Sequence, residues 1–202
     1  KITGNDKLTA TLLPALRGTS NVGLVRIDAA LDAPLGAFDV IAVGAGGASA
    51  PAKFIVDDPP QIEEIEKPLA PASAQPATRP LATTLPVTFG GTFASRGDVD
   101  SFAFDAKAGQ TIVIDVAARR FASKADPVVT LFDPAGHPIG MASDDDTDPD
   151  PLLVRTLTDD GRYEIRVNDL LGATSPQHYY RVSVGTFAYV TGCFPLAVAP
   201  GG

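Results

Sequence analysis

The densest group of residues that could do chemistry is an aspartate-rich run at residues 144–150. Its carboxylates belong to Asp144, Asp145, Asp146, Asp148 and Asp150. Carboxylates this close repel one another unless water or a cation separates them. Asp144, Asp146 and Asp148 have the i, i+2, i+4 spacing that cation-binding loops use. The run therefore predicts either a surface calcium loop or a solvated turn, in which one or two aspartates cap backbone N–H groups and pair with arginines.

A second candidate is the arginine pair Arg119 and Arg120, which is followed directly by Phe121. An arginine–aromatic cluster can bind a sugar, an anion or a partner protein. The alternative is that both arginines are ion-pair partners for Asp126 and the aspartate-rich run. Arg119 and Arg120 are therefore candidates for ligand binding, and the sequence does not identify the ligand.

No pattern in the sequence predicts a catalytic residue. His137 lies in a Gly-x-Pro turn and His178 precedes a strand, and neither neighbours a cysteine or a motif serine. The chain has no G-x-S-x-G, H-E-x-x-H, P-loop or Rossmann glycine pattern. Its one cysteine, Cys193, cannot form an intrachain disulfide. The sequence therefore predicts that the chain is not an enzyme.

The elements that position these residues are strands. Residues 87–187 contain about eight short runs in which apolar and polar residues alternate, separated by Asp, Gly and Pro turns. The apolar rows are Phe102 and Phe104; Ile112, Ile114 and Val116; Tyr163, Ile165 and Val167; and Tyr180, Val182 and Val184. One apolar and one polar row per strand predict an all-β, jelly-roll-like antiparallel β-sandwich. Hairpin turns are expected at residues 108–109, 133–136 and 159–161.

The rest of the chain divides by composition. Residues 1–58 show three or four strands with a D-A-P-x-G turn, which predicts a smaller Ig-like sandwich or its C-terminal part. Residues 59–86 are rich in Pro and Ala and read as an extended linker. The tail at residues 188–202 resembles the opening of a following domain. We therefore expect the chain to be a piece of a longer multidomain protein.

Charge and hydropathy exclude several classes. The net charge is −8, which argues against a nucleic-acid-binding face and against attachment to anionic lipid. The sequence contains no run of about 18 apolar residues, so no membrane-spanning helix is predicted. The first residues do not have the charged and apolar regions of a signal peptide, so an export signal is expected upstream of this chain.

Five segments carry a resemblance to a known family: GDVDSFAF, KAGQTIVIDV, DPVVTLFDPAG, SDDD and DGRYEIRV. They resemble the bacterial pre-peptidase C-terminal (PPC) domain, a β-sandwich module of secreted bacterial proteins. The resemblance implies a non-catalytic accessory module that spaces, stabilises or targets a partner domain. Its partners would be neighbouring domains of the same polypeptide and a polysaccharide or protein ligand, at the cell surface, in the periplasm or outside the cell. The alternatives are the substrate-binding domain of a secreted hydrolase or peptidase, and a structural repeat of a surface adhesin.

The resemblance also implies a calcium site. In calcium-binding members, linker carboxylates meet an Asp-x-Asp at the first strand, and here Glu64, Glu66, Asp98 and Asp100 match those positions. The Asn and Asp that complete the linker motif are absent, and Lys67 adds a positive charge. Calcium takes about six to eight oxygen ligands. The implied set is therefore two ligands short, and no cofactor is certain.

Overall fold

The structure is a computed structural model that describes residues 5–13, 25–64, 82–144 and 148–189. Within these ranges it contains sixteen β-strands and one 3₁₀ turn, and no α-helix. The chain divides into two compact units, Lys1–Asp58 and Pro59–Gly202. The prediction of an all-β protein is confirmed.

The described part of the first unit consists of three two-stranded antiparallel sheets. The pairs are β1 (Leu8–Leu12) with β2 (Val25–Ala29), β3 (Gly36–Val40) with β6 (Ala52–Val56), and β4 (Val43–Gly44) with β5 (Gly47–Ala48). Phe38 and Phe54 face each other across β3 and β6 with ring centroids 5.9 Å apart. Among the described residues of this unit, Leu8 is the one fully buried hydrophobic side chain. The predicted Ig-like sandwich stays a prediction, because these pairs do not show two packed sheets.

The second unit is a sandwich of two five-stranded sheets. Sheet I has the order β13-β12-β15-β10-β8, and sheet II has the order β14-β11-β16-β9-β7. The strands are β7 (Gln61–Glu63), β8 (Ala82–Thr83), β9 (Val87–Thr92), β10 (Val99–Ala106), β11 (Thr111–Ala117), β12 (Pro127–Phe132), β13 (Pro138–Ala142), β14 (Leu152–Thr156), β15 (Gly161–Asp169) and β16 (Tyr179–Gly185). The 3₁₀ turn, Arg119–Phe121, follows β11. Strands β9 to β16 confirm the eight strands that the alternation predicted.

The predicted apolar rows form the core between the two sheets. Every residue of the four rows is buried, with relative exposures between 0% and 7%. Phe104 stacks on its cross-strand partner Tyr163 with ring centroids 5.8 Å apart. The Tyr163 hydroxyl donates to the Asp159 carbonyl at 2.8 Å, so its polar group is satisfied inside the core. Burying an aromatic or branched side chain of this kind contributes about 1.5–3 kcal/mol.

Two of the three predicted hairpin turns do not make hairpins. Residues 133–136 join β12 to β13 within sheet I, as predicted. Residues 108–109 lie in the connection between β10 and β11, and residues 159–161 lie where the chain passes from β14 into β15. Each of these connections crosses from one sheet to the other. The residue pattern of a turn specifies a chain reversal, whereas the pairing of the flanking strands depends on tertiary packing. Those two turns were therefore wrongly predicted as hairpins.

Both described ends of the predicted linker are strands of the sandwich. β7 pairs in parallel with β9 at the edge of sheet II, and β8 pairs in parallel with β10 at the edge of sheet I. Residues 65–81 lie outside the described residues. Short strands that join the edge of a sheet through backbone hydrogen bonds need no alternation of apolar and polar side chains. For this reason the composition of these segments predicted a linker and not strands. We call residues 59–64 the strap.

Candidate functional site

The buried carboxylate of Asp150 organises the aspartate–arginine cluster, which comprises Asp144, Asp148, Asp150, Arg119 and Arg120. Asp150 is 2% exposed. Its Oδ1 accepts the backbone N–H of Arg119 at 2.8 Å, and its Oδ2 accepts those of Ala118 at 3.0 Å and Arg120 at 2.9 Å. Asp150 therefore caps the 3₁₀ turn, where unpaired N–H groups favour a carboxylate.

The two arginines of this cluster are joined to carboxylates. Arg120 donates to Asp115 Oδ1 at 2.7 Å and to Asp150 Oδ2 at 3.2 Å, and it also donates to the Val116 carbonyl. Burial alone would lower the pKa of Arg120, but its hydrogen bonds to Asp115 and Asp150, with the nearby carboxylate charges, outweigh burial and raise that pKa. Both arginines lie in the 3₁₀ turn just after β11, not at the end of a strand.

Arg119 links this cluster to the next loop. It pairs with Asp126 at 2.8 Å and with Asp144 at 3.3 Å, which are the partners that the ion-pair alternative named. Burial raises the pKa of Asp126, and the Arg119 charge opposes that shift. The guanidinium groups of Arg119 and Arg120 thus join the side chains of Asp144, Asp148 and Asp150 to the 3₁₀ turn.

The cluster brings together only part of the predicted calcium loop. Asp145 and Asp146 lie outside the described residues. Asp150 accepts three backbone N–H groups and one guanidinium N–H, so its oxygens do not fit the role of metal ligands. Asp148 Oδ1 accepts the Asp150 backbone N–H at 3.0 Å. Within the described ranges, no three His, Cys, Asp or Glu residues are arranged to hold a metal ion.

The second predicted acidic site lies at the edge of the sandwich beside the strap. Asp100, on β10, is 3% exposed, and the Tyr180 hydroxyl donates to its Oδ2 at 2.5 Å. Burial raises the pKa of Asp100, partly offset by hydrogen bonds with Glu64 and Tyr180, and the Asp98 charge raises it further. Burial and the neighbouring Asp100 also raise the pKa of Tyr180 far above its usual value. The structure thus places Glu64 against Asp100, and Glu66 is outside the described residues.

Asp98 has a different set of partners. Its Oδ2 accepts the backbone N–H of Ala94 at 2.8 Å and of Ser95 at 3.2 Å. This carboxylate closes the turn before β10, in the way aspartates commonly do in turns. Of the four carboxylates that the resemblance implied, the structure joins Glu64 to Asp100 and leaves Asp98 to the backbone.

A third buried carboxylate, Asp169, was not singled out by the sequence. It ends β15 and accepts the backbone N–H groups of Asp126 at 2.9 Å, Leu171 at 3.0 Å and Ala173 at 2.8 Å. Burial tends to raise the pKa of Asp169, but these three hydrogen bonds prevail and lower it. The signal in the sequence was an Asn-Asp pair at the end of a strand and before a glycine-containing loop.

Both histidines make local contacts. His178 is 8% exposed, with Nδ1 2.7 Å from the Ser175 hydroxyl, and its carbonyl accepts the Phe93 N–H. His137 is exposed and lies 3.3 Å from Asp133 at the β12–β13 turn. The partner of each imidazole ring lies three or four residues away along the same turn, so these side-chain contacts serve the turns that contain them.

A comparison with protein-family models agrees with the resemblance that the sequence of the sandwich suggested. The family model described as the bacterial pre-peptidase C-terminal domain matches residues 98–169. This confirms the predicted family resemblance for that segment. No curated protein sequence gives a significant match. In the described parts of the chain, no helix has the length and apolar character needed to cross a membrane.

Two solved structures illustrate the similarity. One is the pre-peptidase C-terminal domain of collagenase from Bacillus anthracis, at 14% identity and TM-score 0.42, covering 51% of this chain and 91% of that one. Another is PliG from Aeromonas hydrophila, a periplasmic inhibitor of g-type lysozyme, at 22% identity and TM-score 0.39, covering 52% of this chain and 96% of that one.

Proposed function

We propose that this chain is a non-catalytic accessory module of an exported, multidomain bacterial protein, and that its sandwich spaces, stabilises or targets a neighbouring domain. One observation carries this proposal. The three buried carboxylates that the structure describes, Asp100, Asp150 and Asp169, all hold backbone N–H groups or interior side chains. Perturbed acids in an active site face a cleft and a substrate, whereas these face the interior of the fold.

The family-model match over residues 98–169 supports the same role. Its description also favours a second candidate, in which the chain is the substrate-binding domain of a secreted peptidase or other hydrolase. A polysaccharide or protein would then be the ligand. The Ig-like assignment of residues 1–58 and the role of surface repeat belong to the same proposal of a multidomain surface protein.

Excision of the module from its parent protein tests the role. We expect removal of residues 59–202 to leave the turnover of a small soluble substrate by any neighbouring catalytic domain unchanged. Retention on an insoluble substrate, or the melting temperature of the neighbour, should fall. Loss of soluble-substrate turnover by a neighbour that remains folded would count against a purely accessory role.

Calcium in the aspartate-rich run is a separate proposal. It rests on Asp144 and Asp148 with Asp145 and Asp146, because Asp150 has its oxygens committed to the 3₁₀ turn. Titration with calcium, followed by the melting temperature, should then give a shift in the wild type that is lost in the Asp146→Asn variant. An identical melting temperature in calcium and in EDTA would remove this proposal.

A further inference from the structure

The carboxylates of Asp98 and Asp100, beside the strap, do not offer the free oxygen ligands that a calcium site needs. Asp98 Oδ2 is held by two backbone N–H groups of its own turn. Asp100 Oδ2 receives a phenolic O–H from Tyr180, and a proton aimed at that oxygen opposes a cation there. Calcium takes about six to eight oxygens at about 2.3–2.6 Å. The resemblance implies this ion, and the contacts of Asp98 and Asp100, two of the implied ligands that the structure describes, do not fit it.

Gly91, on β9, lies directly against the side chains of Glu64 and Tyr180. A Cβ added there would stand 2.7 Å from Glu64 Oε2 and closer still to the Tyr180 hydroxyl. Real Cβ atoms do not approach polar atoms this closely, so the absence of a side chain at Gly91 makes the room for Glu64 and Tyr180. The two side chains that lie against Gly91 are therefore also the ones that hydrogen-bond Asp100.

The backbone of the strap continues this contact. The Glu64 N–H donates to the Gly90 carbonyl at 2.8 Å, and the Thr88 N–H donates to the Pro60 carbonyl at 2.9 Å. Glu64 directly follows β7: its backbone pairs with β9, and its side chain lies against Gly91 beside the Tyr180 hydroxyl. The three side chains of β7 itself are exposed, so their packing does little to hold this short edge strand.

We propose that Glu64, Asp100 and Tyr180 form a metal-independent latch that holds the strap on the edge of sheet II. The Tyr180 hydroxyl donates to Asp100, and a proton shared by the Glu64 and Asp100 carboxyl groups joins those two side chains, where a calcium-binding relative would hold a cation. Gly91, which has no side chain, leaves the room that the Glu64 and Tyr180 side chains occupy. The strap covers the edge of β9, which would otherwise present unpaired backbone groups.

Amide hydrogen exchange of the full chain tests the latch, because the Glu64 and Thr88 amides report the strap alone. We expect both amides to be equally protected in EDTA and in excess calcium. Tyr180→Phe and Glu64→Ala should speed their exchange by about tenfold, while Glu64→Gln should keep most protection, since an amide can still hydrogen-bond Asp100. Glu63→Ala and Tyr179→Phe are matched controls and should leave the two amides unchanged.

The outcomes separate the alternatives. Amides of β11 and β15 must stay protected in each variant, which distinguishes an open strap from an unfolded sandwich. If EDTA speeds exchange of the Glu64 and Thr88 amides and calcium restores protection, the strap is held by a metal and the latch is wrong. Unchanged exchange in Tyr180→Phe also overturns it. Neither result bears on whether the module is catalytic, so failure of the latch and failure of the proposed function remain distinguishable.

Discussion

Three aspartates are buried in the described part of the sandwich, and each is held by a different set of donors. Asp150 binds the N–H groups of the 3₁₀ turn, Asp169 binds those of the loop after β15, and Asp100 binds the Tyr180 hydroxyl. A buried carboxylate is tolerated only with such partners. If one of these carboxylates were removed, the N–H or O–H groups that now donate to it would be left without an acceptor.

Removal of the Asp150 carboxylate should be among the most damaging single changes in the sandwich. Asp150→Ala leaves the N–H groups of Ala118, Arg119 and Arg120 without their acceptor. We expect the free energy of unfolding to fall by about 2–4 kcal/mol in urea titrations. Asp144→Asn, which removes one exposed ion pair of the same cluster, should cost about 0–1 kcal/mol. Equal losses in the two variants would contradict the capping role.

Asp169 should contribute to acid sensitivity. Burial opposes its charged form, but the N–H groups of Asp126, Ala173 and Leu171 prevail and lower its pKa. A carboxylate whose native pKa lies below its unfolded value of about 3.9 stabilises the fold above that pH, and the stabilisation is lost as pH falls through the native pKa. Asp169→Asn should therefore be less stable at neutral pH, with a shallower fall in unfolding free energy below about pH 4. A slope identical to the wild type would show that Asp169 is not involved.

At the scale of single residues, the sequence indicated which side chains are buried but not what their polar atoms do. Tyr180 belongs to a predicted apolar row and is buried as expected, yet its hydroxyl contacts Asp100, which is distant in sequence. The alternation of β16 carries no information about that partner. Glu64 and Asp98 were both named as candidate ligands, and only their tertiary surroundings separate them.

At the scale of elements, alternation located every strand from β9 to β16. Most of them present buried apolar residues to one core, whereas β13 and β14 contribute only the partly buried Ile139, Ala142 and Leu153. The alternation did not show which strands pair, since β10 and β11 lie in different sheets although a two-residue turn pattern joins them. The sequence did not predict that the strap and β8 pair with the sandwich. Both join the edge of a sheet through backbone hydrogen bonds, and such bonds require no pattern of side chains.

The connection that carries the chain from β14 in sheet II to β15 in sheet I depends on Gly161. Its φ is +147°, and an added Cβ would lie 3.0 Å from the Pro134 Cγ in the β12–β13 turn. Gly136 has φ of +89° but would meet nothing within 4 Å. We expect Gly161→Ala to lower the unfolding free energy by about 2–4 kcal/mol, and Gly136→Ala by about 1–2 kcal/mol from backbone strain alone. A larger loss at Gly136 in urea titrations would contradict this packing.

At the scale of the whole molecule, the described buried core belongs almost entirely to the second unit. Leu8 is the single fully buried hydrophobic residue described in residues 5–13 and 25–58, whereas the sandwich buries four complete apolar rows. We therefore expect a chain of residues 59–202 to unfold cooperatively, with a melting temperature within about 2 °C of the corresponding transition in the full chain. A large loss of stability on removing residues 1–58 would mean that the sandwich depends on the first unit.

We propose that the titratable groups in the described part of this chain serve its fold and not a reaction. Turnover of peptide, ester and glycoside substrates by the purified 202-residue chain tests it most directly. We predict rates equal to buffer for the wild type and for the His137→Ala and His178→Ala variants. Reproducible turnover by the wild type that is lost in either histidine variant would contradict the account.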